Sequence, residues 1–218
     1  MSRRQDAEDS KSKLVCLFTP VQNLALSSTP ATKDKVSTPN VLISTDWGII
    51  NKTAQQGKNN VFALYLDLNT GWLAVYPKEN RGLAGETLQE YCQEHGIPGT
   101  ILHDNAQEYL HGDFATLCQN KGIKQQCSAP YNPNQNPTEH CMDIVMGKTR
   151  SLLYMSGLDP LEYWEHALLH GTNLQNRTAL PGRYTPYEHT YGKTPDISHI
   201  RIFGCEALHT SKRRRGTN

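Results

Sequence analysis

Two apolar runs, Asn60–Leu68 (NVFALYLDL) and Gly71–Tyr76 (GWLAVY), stand only two turn-forming residues apart, at Asn69-Thr70. So short a link leaves room for a hairpin and none for a crossover, so the two runs must be antiparallel neighbours. A third run, Val41–Asp46 (VLISTD), precedes them. Downstream the period changes. Leu83–Glu94 carries Leu88, Tyr91 and Cys92 at helical steps and stops at Gly96. Gly99–His103 reads as a short strand, Phe114–Lys121 as a short helix, and Ile123–Cys127 as a fifth strand. Two longer helices follow, Thr138–Met155 and Pro160–Asn176. The first has Met142, Val145, Met146, Leu152 and Leu153 on one side; the second offers Trp164, Ala167, Leu168 and Leu174 for packing. Three leading strands and then alternating helices and strands predict an α/β fold, a mixed five-stranded sheet with helices on both faces.

The flanks read differently. Residues 1–38 mix Ser, Thr, Pro, Lys and Asp, which suits a disordered polar leader, with Leu14–Phe18 as a brief strand-like patch. Residues 210–218 form a basic tail containing Lys212-Arg213-Arg214-Arg215, which suits a solvated segment or one that meets phosphate or an import receptor. The core is then 39–209. A hydrophobic share of 37% agrees with one compact core between polar flanks. Six cysteines without a C-x-x-C pair, and an opening without a charged-then-apolar signal, predict an intracellular protein with free thiols and no membrane span. The net charge of +1 decides nothing, because clustered carboxylates can offset a basic surface.

Three acids fall where strands end and a helix begins: Asp46, Asp104 and Glu139. Carboxylates gathered at one sheet edge suit hard cations that also bind phosphate oxygens. Two such ions about 4 Å apart serve in-line phosphoryl displacement. Spacing alone is weak evidence, since 21 acidic residues offer many triples. Asp104-Asn105 is also an ordinary turn dipeptide, and Asn136, Pro137 and Glu139 also fit a helix start. His166 and His170, four apart on a helix, have ligand spacing but no third partner, and are read as surface or packing residues. Asn51-Lys52-Thr53 and Asn176-Arg177-Thr178 match glycosylation sequons, which matter only in a secreted chain.

The words around the acids carry more. Asp104-Asn105-Ala106-Gln107-Glu108-Tyr109, then Ala129-Pro130-Tyr131-Asn132-Pro133-Asn134-Gln135-Asn136, then Glu139, resemble the integrase core of copia-type retrotransposons. That family reads approximately D-N-G-x-E-F and A-P-Y-x-P-x-Q-N-G-x-x-E. Asp67 to Val75, Thr149-Arg150-Ser151-Leu152-Leu153, Trp164 with Ala167, Asn176-Arg177, Thr185-Pro186-Tyr187-Glu188, Tyr191-Gly192-Lys193-Thr194-Pro195 and Arg201-Ile202-Phe203-Gly204-Cys205 continue the match in order over roughly residues 41–209.

The resemblance implies an RNase H-like fold with Asp46, Asp104 and Glu139 as catalytic residues and ligands of two Mg²⁺ or Mn²⁺ ions. It implies polynucleotidyl transfer that joins cDNA 3′ ends to target DNA, by a homo-multimer working in a cytoplasmic particle and the nucleus. Lys148, Arg150 and His140 become candidates for DNA contact, Arg150 being equally suited to pair with a core acid. Three departures stand against a fully typical site. Asp104 and Glu139 lie 35 residues apart, one fewer than usual, with the loss between Asn136 and Glu139. His140 stands where the family carries arginine. Ala106 replaces a glycine in a turn that could need positive φ. With no zinc-ligand pattern in residues 1–40, a fragment or decayed copy is also expected, and a silent remnant that only binds nucleic acid or a partner protein is the rival reading.

Overall fold

The computed structural model describes residues 38–50, 59–127, 137–179 and 183–206. The chain divides into two units, Met1–Ala31 and Thr32–Asn218, and every described residue lies in the second. The polar leader, the Leu14–Phe18 patch, the Asn51 sequon, the Ala129–Asn136 motif and the basic tail fall outside the described residues.

Five strands form one sheet: β1 (Leu42–Ile49), β2 (Val61–Asp67), β3 (Leu73–Lys78), β4 (Thr100–His103) and β5 (Lys124–Cys127). Their order is β3-β2-β1-β4-β5. β1 pairs antiparallel with β2 and parallel with β4; β2–β3 is antiparallel and β4–β5 parallel. Helix α1 (Ala84–His95) follows a 3₁₀ turn at Arg81–Leu83. Then come α2 (Gln107–Leu110), α3 (Gly112–Lys121), α4 (Pro137–Ser156), α5 (Pro160–Asn176) and α6 (Pro186–Tyr191). α2 and α6 are additions to the sequence reading; both are short, below the length at which a hydrophobic period is readable. α1 ends at Gly96, whose φ of 89° is open to glycine at little cost.

The strands' period of two divides the core. On one face Ile43, Trp47, Ala63, Tyr65 and Tyr76 pack against Leu88, Tyr91, Tyr109, Phe114 and Cys118. On the other, Phe62, Leu64, Leu66, Leu73 and Val75 pack against Val145 and Leu153 of α4 and Trp164, Ala167 and Leu168 of α5. β2, buried at every position, therefore shows no alternation in its sequence, as a strand covered on both faces should not. Within this unit the fold is the mixed α/β sheet with helices on both faces that the pattern predicts. Among the described residues no helix is long and apolar enough to cross a membrane.

The β2–β3 turn rests on Asp67, 2% exposed, whose Oδ1 accepts from the amides of Asn69 (2.9 Å) and Thr70 (3.3 Å), while Oδ2 accepts from that of Asn40 (2.8 Å). Beyond it Asn176 of α5 acts as a substitute strand. Leu73 N donates to Asn176 Oδ1 (2.9 Å) and Asn176 Nδ2 donates to Leu73 O (2.7 Å). A sequon asparagine used in this way, and 3% exposed, is unavailable to a glycosyl acceptor role.

His166 and His170 pack beside rings, His170 at 5.6 Å from Phe203 and His166 at 6.1 Å from Tyr163, centroid to centroid. The described cysteines are free: Cys92 and Cys118 are buried, Cys141 is half-buried, and Cys127 and Cys205 are exposed. Burial, and then the neighbouring Cys92, push the Cys118 thiol up to about 12.

Two outcomes follow from this packing. Asn176→Ala strands both polar groups of Leu73 and should cost about 2–4 kcal/mol, each orphaned group contributing about 1–3 kcal/mol, read as a lower urea midpoint at unchanged slope. Iodoacetamide at pH 8 should label Cys127 and Cys205 in the native chain, and Cys92 and Cys118 only after unfolding, because the thiolate is the nucleophile. Mass spectrometry of the labelled peptides checks it.

Candidate functional site

Strand pairing brings two of the three acids together. β1 stays paired with β2 as far as Ile49↔Val61, but its parallel pairing with β4 reaches only Ser44↔Leu102. Asp46 therefore lies inside β1 and does not close it, as the apolar run alone suggested. It sits where the strand's β4-side edge opens. The strand runs on because β2 offers partners beyond it. Asp104 follows just past the end of β4, so the parallel pairing carries both acids to the same end of the sheet.

Period two puts Asp46 on the same face as Ser44 and Gly48, the face turned to α4. Ser44 Oγ and Thr138 Oγ1 form a buried hydrogen bond of 2.5 Å. At Gly48 a Cβ would lie 2.3 Å from the Phe62 ring and 2.6 Å from Met142 Sδ, so only glycine lets α4 approach this closely. These two contacts flank Asp46 and seat the first turns of α4 over β1. Glu139 follows Thr138 directly. Asp46 is half-buried within β1, Asp104 is exposed just past β4, and Glu139 is exposed in the first turn of α4. Among the described residues no group of three His, Cys, Asp or Glu side chains already stands close enough to hold a metal ion. The donor set nevertheless fits hard divalent cations, being three carboxylates and no thiol or imidazole.

Local bonds orient the acids. Asp46 Oδ1 accepts from Trp47 N (2.7 Å). Asp104 Oδ1 accepts from Ala106 N (3.0 Å), an Asx turn, so the turn reading and the site reading describe the same residue. Ala106 itself has φ −68° and ψ 144°. The glycine this alanine replaces is not needed for a positive φ, and that expected strain does not arise. His103, 2% exposed, braces the turn from below. Its Nδ1 donates to the Asp104 carbonyl (2.6 Å), Nε2 meets the side-chain amide of Gln125 (3.1 Å), and its ring packs on Tyr109 and Phe114. Ser44, Thr138 and His103 were missed in the sequence because nothing local marks them; their partners lie in other elements.

α4 begins at Pro137 and runs unbroken to Ser156. Val145 and Thr149 on this helix are buried and Glu139 is exposed. At about 100° per residue Arg150, exposed, shares the face of Glu139, whereas Lys148 lies on the opposite side of the helix. Lys148 packs against Gly171 of α5, and burial pulls its ammonium below the usual lysine range. His140 is exposed beside Glu139. The geometry thus groups His140 and Arg150 with the acids on the accessible side, and sets Lys148 apart.

No family model matches the chain. It is 28% identical over 168 residues to the retrovirus-related Pol polyprotein from transposon TNT 1-94 of Nicotiana tabacum, covering 73% of this chain and 13% of that polyprotein. It is 26% identical over 155 residues to that from transposon RE1 of Arabidopsis thaliana, covering 66% of this chain and 10% of the polyprotein. The chain therefore spans a small part of these relatives. Among solved structures, the catalytic core domain of BIV integrase superposes with a TM-score of 0.57 at 20% identity, over 70% of this chain and 95% of that one. The HTLV-2 integrase catalytic core domain in complex with magnesium, in its trimeric form, gives 0.56 at 17% identity, over 71% and 98%.

The Ser44–Thr138 bond generates a test of how α4 is seated. Thr138→Val should cost about 1–2 kcal/mol, in part by leaving Ser44 unpaired, and Ser44→Ala with Thr138→Val should cost less than the sum of the two single changes, as a shared bond requires. Urea midpoints of the two single variants and the double variant check it.

Proposed function

We propose that this chain, a homologue of retrotransposon Pol polyproteins with the fold of retroviral integrase catalytic cores, is itself the catalytic core of an integrase and joins cDNA 3′ ends to target DNA. The observation that supports this reading is the parallel β1–β4 pairing, which runs the strands of Asp46 and Asp104 to one end of the sheet, with α4 and Glu139 in its first turn seated over β1. In this reading Asp46, Asp104 and Glu139 hold two Mg²⁺ or Mn²⁺ ions, and the HTLV-2 core was solved in complex with magnesium. The ions, when bound, supply charge neutralisation on the reacting phosphate and lower the pKa of the attacking oxygen's proton.

The protein's own work is placement. No covalent intermediate with the enzyme is required, because the 3′-hydroxyl of the cDNA end attacks the target phosphorus directly and the displaced strand's 3′ oxygen leaves. Water takes the place of that hydroxyl if the end is first trimmed. Asp46 is held rigidly within a strand, whereas Asp104 and Glu139 stand exposed, where they can converge as nucleic acid docks. Arg150 and His140, on the accessible side of α4, contact DNA phosphates. Lys148 remains a phosphate contact only for a strand passing over the α5 side. The joining of two cDNA ends calls for a homo-multimer on DNA, and a chain of the simian T-cell lymphotropic virus intasome shares this fold. Such work belongs to a cytoplasmic particle and then the nucleus.

The silent remnant, which keeps the fold but only binds nucleic acid or a partner, is favoured by His140 in place of arginine and by the shortened approach to Glu139. Strand transfer with Mn²⁺ on a labelled model DNA end separates the two. The wild-type chain should give joined product, and Asp104→Asn should lower it by at least about a hundredfold, the scale of losing one transition-state stabilising group. A folded wild-type chain that yields no product and binds no Mn²⁺ would establish the silent reading.

A further inference from the structure

At the end of the sheet away from the acid edge, where Ile43 of β1 pairs with Asp67 of β2, a cavity of about 190 Å³ opens between the β2–β3 turn, the last turn of α1 and α6. Four rings line it. Trp72 and Tyr191 meet at 5.4 Å and 86°, Trp72 and His95 at 5.8 Å and 62°, Tyr91 and His95 at 5.0 Å and 50°. Rings set this steeply form walls and do not stack on one another. α6 supplies its wall because Thr185 caps it: Thr185 Oγ1 accepts from Glu188 N (3.0 Å) and Glu188 Oε2 accepts from Thr185 N (2.8 Å). That cap starts the helix so that Tyr187 and Tyr191, four apart, lie on one side and touch at 4.7 Å.

The cavity's charge has one sign. Asp67 and Glu94 line it, and no lysine or arginine does. The Asp67 charge is felt inside: after burial itself, it is the main influence raising the Tyr91 phenol. His95 adds no positive charge near neutral pH, because burial lowers its pKa. Yet the buried carboxylate offers no spare oxygen. Both Asp67 oxygens already accept backbone amides, while Glu94, its Oε2 accepting from Tyr76 Oη (3.0 Å), is exposed at the rim. A group that wants positive charge stabilised without donating hydrogen bonds matches this combination. Ring faces provide that stabilisation, and next door a cation already uses one: Arg177 Cζ lies 5.1 Å from the Tyr187 ring centre. Size narrows the choice. At about 30 Å³ per water-sized group the cavity takes roughly six non-hydrogen atoms, too few for a nucleoside.

We propose that the Trp72–Tyr91–His95–Tyr191 cavity, with Asp67 and Glu94, binds a methylated ammonium group, presented either by a small quaternary amine or by a methylated lysine side chain. An unmethylated lysine is the poorer ligand, because its strongly hydrated ammonium would exchange water for ring faces, with acceptors only at the Glu94 rim.

The test uses the full chain and amide and indole NMR shifts. Tetramethylammonium should bind saturably and shift the Trp72 indole and the Tyr191 amide. Neopentyl alcohol, of similar shape but uncharged, should bind at least about tenfold more weakly. Tyr191→Ala, at a half-exposed position that leaves the fold intact, should weaken binding about threefold to thirtyfold, and Glu94→Gln about threefold. A trimethyl-lysine peptide that binds tighter than tetramethylammonium, and tighter than its unmodified counterpart, would assign the side chain as ligand. A peptide no tighter than the free cation would assign the small amine. Equal binding of the neutral analogue, shifts that avoid Trp72 and Tyr191, or unchanged affinity in folded Tyr191→Ala would overturn the proposal.

Discussion

Strand β1 hydrogen-bonds to an antiparallel neighbour on one edge and a parallel neighbour on the other, and the two pairings have different lengths. The long pairing with β2 makes the strand rigid through Asp46 and on to Ile49. The short pairing with β4 leaves the same stretch with one edge open. A residue there has a backbone held by the sheet and a side chain that reaches an accessible rim. No other described strand position combines these properties with a facing helix start, and the rest of the candidate site is arranged around it.

That arrangement relies on small contacts more than on large ones. A hydroxyl pair between Ser44 and Thr138 and the missing side chain of Gly48 allow α4 to sit close over β1. Bulk apolar packing by Val145, Leu153 and Trp164 supplies the attraction but would tolerate a shift of the helix along the sheet. The polar pair and the glycine define where it stops. His103 does the same for the turn after β4, tying the Asp104 carbonyl to β5 through Gln125. Asp46 is therefore placed by strand pairing, while Asp104 stands one residue past β4 and Glu139 in the first turn of α4, both exposed where a polyanion can reach them.

The other end of the sheet is organised by a different economy. Asp67 is buried and saturated by backbone amides, which holds the hairpin turn and also leaves a negative charge beside four rings. The two ends do not compete for the same residues. A methylated ammonium at the aromatic cavity would leave the acid edge open to nucleic acid.

Much of this was legible in the chain itself. The Asn69-Thr70 link dictated a hairpin because two residues cannot make a crossover, and the helical period of α4 and α5 named the residues that pack, Val145, Leu153, Trp164 and Leu168. The ordered motif words singled out Asp46, Asp104 and Glu139 as candidates, which composition could not pick from 21 acids. What local sequence could not express was any property that depends on a partner far along the chain. Asp46 looked like a strand end because its extension is stabilised by β2, not by its own neighbours. Ala106 looked like a strained substitution because φ is set by the Asx turn from Asp104. Lys148 looked like a companion of Arg150 until the helix phase and Gly171 turned it to α5. Ser44, Thr138 and His103 were silent for the same reason, since a polar side chain acquires its role only when folding supplies the atom it bonds. Periodicity is written in the chain because burial is a property of single residues, whereas sites belong to pairs, and pairs exist only in the folded molecule.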